Sequence, residues 1–430
     1  MPSTRNRPEP TAAAGASGLC CSGASALLAA LVLLGTAATQ QEPKSVRAVT
    51  SADPYTEADR AVMAKAGIVS YGPFPFGHKH DTRDVMVLLG DEPLLWVETA
   101  HFRIGCALSA LPLRGDPEWV ESTKAELKRL KTRLPKVKAE TRELDPWLRT
   151  HLIAQRCEEL YTEVLDHLGV RDDTFPTSGG DDAKGDPQRF YGLGPYLGLP
   201  QKFTVLIVQR AASLARYTRA YQGHETQLPR RHFDLVHKCM VFAVAEETSA
   251  SLMKNDYALY THLVYNLSYS LYTSYRYFHH DLPAWLVVGL AHWHGRRICP
   301  RFPAYERARD DNNLEQREFW RWDLRAPGLL RNGAFEPLES LMKRPQVTDF
   351  GMEQHIQSWA FVDFLMATRK AATMKFLHDM KDPFHGLRQQ PSHEEILARA
   401  KECFPRAFQQ DAAGLEAEWR THLLKARPKR

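Results

Sequence analysis

Tyr260-Thr261-His262-Leu263-Val264-Tyr265-Asn266 and, after a Tyr-rich stretch, Leu282-Pro283-Ala284-Trp285-Leu286-Val287-Val288-Gly289-Leu290-Ala291 are the segments on which the reading of this chain turns. Both lie within runs that read as helix, Tyr257 to Tyr275 and Pro283 to Arg297, and everything beyond them reads as helix too. The further segments are Gln316 to Leu324, Pro337 to Lys343, Gln354 to Thr368, Ala371 to Met380, His393 to Cys403 and Gln409 to Lys425.

Upstream the pattern changes. Trp96 to Ile104 carries β-branched and aromatic residues and reads as one strand; Phe203 to Val208 reads as a buried strand and Met240 to Val244 as another, with a short helix between. Asp116-Pro117 opens a helix carrying Trp119, Leu127, Leu130 and Leu134, and Asp145-Pro146 opens a longer one ending at Gly169. A few strands followed by a long helical half predict an α+β fold: a small β-sheet subdomain, then a mostly α half.

The N-terminus has the layout of a secretory signal peptide. Arg5 and Arg7 precede an apolar run from Ala24 to Ala38, too short for a comfortable membrane span and followed by polar residues, which predicts cleavage between Ala38 and Glu42. The expected organisation is a signal peptide over 1–38, a lead segment over 39–93 with one helix at Glu57 to Ala66, and one domain over 94–426 with an exposed loop over 171–190. No later segment is apolar enough to span a membrane, so the expected location is secreted or periplasmic. The formal net charge of +5 is spread among acidic residues, and nucleic acid is not an implied partner. Cys106, Cys157, Cys239, Cys299 and Cys403 stand at long spacings with no CxxC pair, which excludes a zinc ribbon and allows at most two disulfides.

The two opening segments resemble the pattern of the peptidase-MA-like gluzincins, relatives of thermolysin, in which HExxH on one helix precedes PxWxxEGxA on the next. His101-Phe102-Arg103-Ile104, Gln357-Ser358-Trp359-Ala360-Phe361-Val362 and Glu416-Ala417-Glu418-Trp419-Arg420 add to the likeness, which covers most of the chain from Trp96 to Lys425. The resemblance implies a gluzincin-like fold and a zinc site. In such a site two His at i and i+4 share a helix face, the Glu after the first His is general base, and a Glu on the next helix is the third ligand.

Laid on this chain, the first His is His262, the base position is Leu263, the second His is Asn266 and the third ligand is Val288. Leu takes no proton, Val does not coordinate, and a neutral amide is a poor zinc ligand. Pro283, Trp285, Gly289 and Ala291, the residues that match, are those that pack helices together. The expected protein is therefore a pseudopeptidase: no catalytic residues, no cofactor, and a binding or structural role in the cell envelope. A peptide or glycan would occupy the former active-site groove, walled by the tyrosines at 257, 260, 265, 269, 272, 275 and 277, whose simpler role is helix packing.

The alternative is a metal-dependent hydrolase with a displaced zinc site. His292 stands one turn beyond Val288, about 6 Å along the axis, and with His262 it offers two imidazoles, although a tetrahedral zinc needs a third ligand. His294 reads as a surface histidine. His78-Lys79-His80 reads as a solvated loop, and the glycine-rich Gly192 to Gly198 precedes a strand, which argues against phosphate binding.

Overall fold

A computed structural model of the chain describes residues 52–77, 79–90, 92–177, 191–248, 252–279, 281–304, 320–382 and 390–425. The signal peptide, its cleavage site, His78, and residues 178–190 of the exposed loop lie outside them.

Five strands form one mixed sheet: β1 (Leu95–Glu98), β2 (Phe102–Cys106), β3 (Phe203–Val208), β4 (Arg230–Asp234) and β5 (Cys239–Ala245), in the order β1-β2-β3-β5-β4. The three inner strands run parallel, and each edge strand runs antiparallel to its neighbour. Side chains alternate across the inner strands. Phe102, Ile104, Val205, Ile207, Phe242 and Val244 face the main core, while Leu206, Val208, Val241 and Ala243 face a second core under Trp96. Gly105 is opposite Trp96 in the ladder, and a Cβ there would fall 2.6 Å from the indole, so glycine makes room for the ring.

Two expectations are corrected here. Trp96 to Ile104 is not one strand but a hairpin, because Thr99 N donates to Phe102 O at 2.9 Å and Phe102 N donates to Thr99 Oγ1 at 3.1 Å, which turns the chain back. Strand β4 was not expected: Arg230-Arg231-His232-Phe233-Asp234 has no apolar alternation, and as an edge strand it is partly exposed throughout.

The lead segment holds two helices, α1 (Arg60–Ala66) and α2 (Thr82–Leu88), the second started by a reciprocal cap between Asp81 and Asp84. It is tied to the domain. Val69 N donates to Glu98 O and Glu98 N to Ser70 O, both at 2.7 Å, and the buried Asp53 carboxylate stands 3.1 Å from His151 Nε2. Helices α3 (Pro117–Arg133) and α4 (Pro146–Leu168) start where Asp116 and Asp145 accept from first-turn amides, each with proline in the first turn. Helix α5 (Ala211–Gln222) packs on the second face of the sheet.

The helical half comprises α6 (Asp256–Ser274), α7 (Ala284–Ile298), α8 (Trp322–Arg331), α9 (Leu338–Met342), α10 (Met352–Thr368), α11 (Lys370–Lys381), α12 (His393–Phe408) and α13 (Ala412–Lys425). The fold is thus α+β, a small sheet followed by a helical half. Helix α7 is its centre. A Cβ on Gly289 would lie 2.3 Å from Val362 Cγ2 and 2.6 Å from Ser358 O, so glycine sets the close approach of α10. Trp285 packs between Phe361 and Phe376. No helix among the described residues is long and apolar enough to cross a membrane. The five cysteines from Cys106 onward are buried free thiols.

Candidate functional site

Helix α6 begins at Asn255, whose side chain accepts from Tyr257 N and Ala258 N. At 3.6 residues per turn, His262, Asn266, Tyr269 and Thr273 fall on one side of it. Leu263 stands about 100° round the helix from His262 and is 1% exposed in the main core. His262 keeps a buried Nε2 with no hydrogen-bond partner, and burial holds its imidazole down to about 4, so it is neutral at physiological pH.

Helix α7 packs along α6 with Gly295 against Thr261 and Tyr265, where a Cβ would lie 3.3 Å from Thr261 O. Val288 is fully buried in the main core. His292 lies against Tyr265, with ring centres 4.8 Å apart, and its Nε2 is 3.0 Å from His355 Nδ1 on α10. Burial first, then the charges of His355, Arg296 and Arg231, holds the His292 imidazole well below its ordinary range. No hydrogen bond or ring contact among the described residues joins His262 to His292.

His294 is not at the surface but 2% exposed. Its Nε2 is 3.1 Å from the Tyr272 hydroxyl, which is also 3.0 Å from His167 Nδ1 on α4, and Glu163 stands 3.6 Å from His294 Nδ1. Other phenols of the tyrosine stripe find similar partners: Tyr275 OH lies 2.9 Å from His378 Nδ1, and the Arg156 guanidinium sits 4.1 Å from the centre of the Tyr260 ring. The stripe is chiefly packing at mixed depth.

Sequence reasoning missed the residue that closes the α6 face. Arg231, from edge strand β4, reaches across it, donates from Nη1 to Asn266 Oδ1 at 3.0 Å and lies 3.8 Å from the centre of the Tyr269 ring. Asn266 Nδ2 donates to His262 O at 2.7 Å, so both ends of the amide are used. A zinc ion does not fit this residue set: Leu263 and Val288 are apolar and in the core, Asn266 is bound to a fixed cation, and His292 is bound to His355. Among the described residues, no group of three or more His, Cys, Asp or Glu side chains is placed to hold a metal.

Further along the same face is a cavity of about 420 Å³. Its walls are Tyr269 and Thr273 of α6, Leu282 to Ala284 and Val287 at the start of α7, Met342 of α9, the loop Arg344 to Thr348, and Gln390, Pro391, His393, Ile396 and Leu397 at and before α12. These pieces come from four separate stretches of chain, so no local pattern announced them. Described residues of two further sequence candidates make contacts of their own. His80 Nδ1 meets the Tyr221 hydroxyl at 3.0 Å, and Leu193 N donates to Gly198 O at 2.8 Å in a closed turn whose Gly198 backs onto Tyr277 N. Comparison of the chain with protein-family models, with curated proteins and with solved structures finds no match.

Proposed function

We propose that this chain is an exported, non-catalytic binding or structural protein of the cell envelope, built on a gluzincin-like scaffold whose catalytic positions carry other residues. The observation that carries this reading is the bond from Arg231 to Asn266. In the family the second-ligand position serves a cation that is bound and lost with the metal; here the same position serves a cation built into the chain. Leu263 and Val288, in the base and third-ligand positions, contribute apolar surface to the core instead of chemistry. The groove between α6, α7 and the segments that face them then serves to hold a peptide or glycan without cutting it.

The test is incubation of the full chain with a peptide library, with added zinc and with chelator, followed by mass spectrometry. An uncut library under both conditions is expected. Chelator-sensitive cleavage would overturn the reading.

A further inference from the structure

We infer that the cavity between α6, α7, α9 and α12 binds an uncharged, apolar segment of peptide chain. The inference rests on the reading of the protein as a non-catalytic binder and names what it binds. At about 420 Å³ the cavity is within the range of roughly 300–1,000 Å³ over which proteins hold small ligands. Leu282, Val287, Met342, Val347, Ile396 and Leu397 supply the apolar half of its lining, and polar side chains supply the rest.

The polar groups of the wall decide the charge of the ligand. Arg344 is the one guanidinium among the described lining residues, and it is spent on Glu336, with Nε to Oε1 at 2.7 Å, and on Asp349 O at 3.0 Å. His393 Nε2 is 3.0 Å from Lys343 O, and Thr273 Oγ1 donates to Tyr269 O at 2.9 Å. Among the described residues no net charge is left to meet an ionic ligand, and a charged group entering the apolar part of this lining would lose hydration without compensation.

The same wall separates peptide from sugar and from lipid. Among the described residues that line the cavity Tyr269 is the one phenol, and Arg231 already lies over one of its faces at 3.8 Å, so a sugar ring would have only its other face to stack on. An acyl chain needs no polar partners, whereas this rim carries exposed Gln346, Thr348 and Gln390, whose amides and hydroxyl match the N–H and C=O groups of a peptide backbone.

The test uses the full chain and a fluorescein-labelled, end-blocked peptide of leucine, proline, valine and leucine, read by anisotropy. Saturable binding is expected, weakened tenfold or more by Val287→Trp, which fills the cavity, and by Ile396→Asp, which charges its partly exposed wall; thermal unfolding checks that each variant is folded. The same peptide with lysine for valine should bind at least tenfold more weakly. Absence of saturable binding, binding unmoved by Ile396→Asp, or saturable binding of maltotetraose or decanoate in place of the peptide would overturn the inference. Recovery of the probe by mass spectrometry keeps the two readings apart. A cut probe whose binding Ile396→Asp abolishes rejects the non-catalytic reading and keeps the cavity; an intact, unbound probe rejects the cavity alone.

Discussion

Arg231 Nη1 donates to Asn266 Oδ1 at 3.0 Å while its guanidinium lies 3.8 Å from the Tyr269 ring centre, so one side chain of the edge strand fastens the sheet to the face of α6 that the catalytic motif would occupy. A charge-assisted hydrogen bond contributes about 1.5–3 kcal/mol and a cation–π contact about 0.5–2 kcal/mol. Arg231→Ala should therefore lower stability by about 2–4 kcal/mol, and Arg231→Lys, which keeps the charge but not the planar fork, should recover less than half. Urea midpoints at unchanged slope measure this; a loss under about 0.5 kcal/mol for Arg231→Ala, the usual range of an uninvolved surface change, would show that the contact fastens nothing.

Gly289→Ala tests the packing of α7 on α10. The added methyl would meet the Val362 side chain and the Ser358 carbonyl at 2.3 and 2.6 Å, and backbone cannot swing aside as a flexible side chain can. Overpacking of this kind costs about 1–3 kcal/mol, although alanine is the better helix former by about 1 kcal/mol. A net loss is expected on thermal unfolding. A gain would mean that the two helices separate without penalty.

The framework residues were legible through the resemblance, which marked Trp285, Gly289 and Ala291 as helix-packing positions. The structure packs Trp285 on Phe361 and Phe376, sets Gly289 against Val362 and Ser358 of α10, and places Ala291 against Tyr265 on a different side of the helix. Strand β4 was illegible because an edge strand needs no apolar alternation, and Arg231 with it, since nothing in Arg230-Arg231-His232 says that the second arginine spans to a helix 35 positions on. His294 was misread as exposed because burial of a polar ring depends on its partners, and Tyr272 and Glu163 are far away in sequence. The cavity escaped for the same reason: its walls meet only in three dimensions.

His101 gives a pH dependence. Burial opposes its charge, but the hydrogen bond and charge of Glu158, at 2.6 Å, and then Asp172 raise its pKa above the ordinary value; burial likewise opposes Glu158, which His101 holds below its own. The histidine contribution is full below its unfolded pKa of roughly 6.5 and is lost as pH rises through the raised folded value; the glutamate contribution is full above roughly 4.3 and is lost as pH falls through the depressed one. His101→Gln should thus cost more at pH 6 than at pH 9, by about 1 kcal/mol or more given the strength of charge-assisted bonds. Equal losses at the two pH values would exclude a charged His101.

Lys381 and Asp281 form a fully buried pair at 2.8 Å, and Lys381 Nζ also donates to Thr273 O at 2.7 Å, close to the C-terminal end of α6. Burial pushes the Asp281 carboxyl up to about 6 in spite of the lysine. Lys381→Met removes the partner and the α6 contact together, and should cost about 3–5 kcal/mol. Adding Asp281→Asn removes the orphaned charge and should restore most of that loss. If the double variant is as unstable as the single one, the helix contact rather than the charge pair is what matters.

Rebuilding the ligand set tests the gluzincin geometry itself. Leu263→Glu, Asn266→His and Val288→Glu together restore a base and, with His262, complete three ligands, because zinc-activated water needs both a metal held by three protein ligands and a group to take its proton. Two of these changes place carboxyls in the main core, where they are destabilising or stay protonated unless a cation arrives. The cation already present is Arg231, bonded to position 266, and at about 4 Å two unit charges in a surface-like dielectric repel by about 4 kcal/mol. The triple variant should therefore take up zinc poorly, and adding Arg231→Ala should strengthen uptake by tenfold or more toward one ion per chain, with a rise in unfolding temperature on zinc addition. Turnover is expected to stay low, since the residues that orient the ligands are not restored. A folded quadruple variant that binds no zinc would mean that positions 262, 266 and 288 do not converge, and the resemblance to the family would then be one of sequence pattern alone.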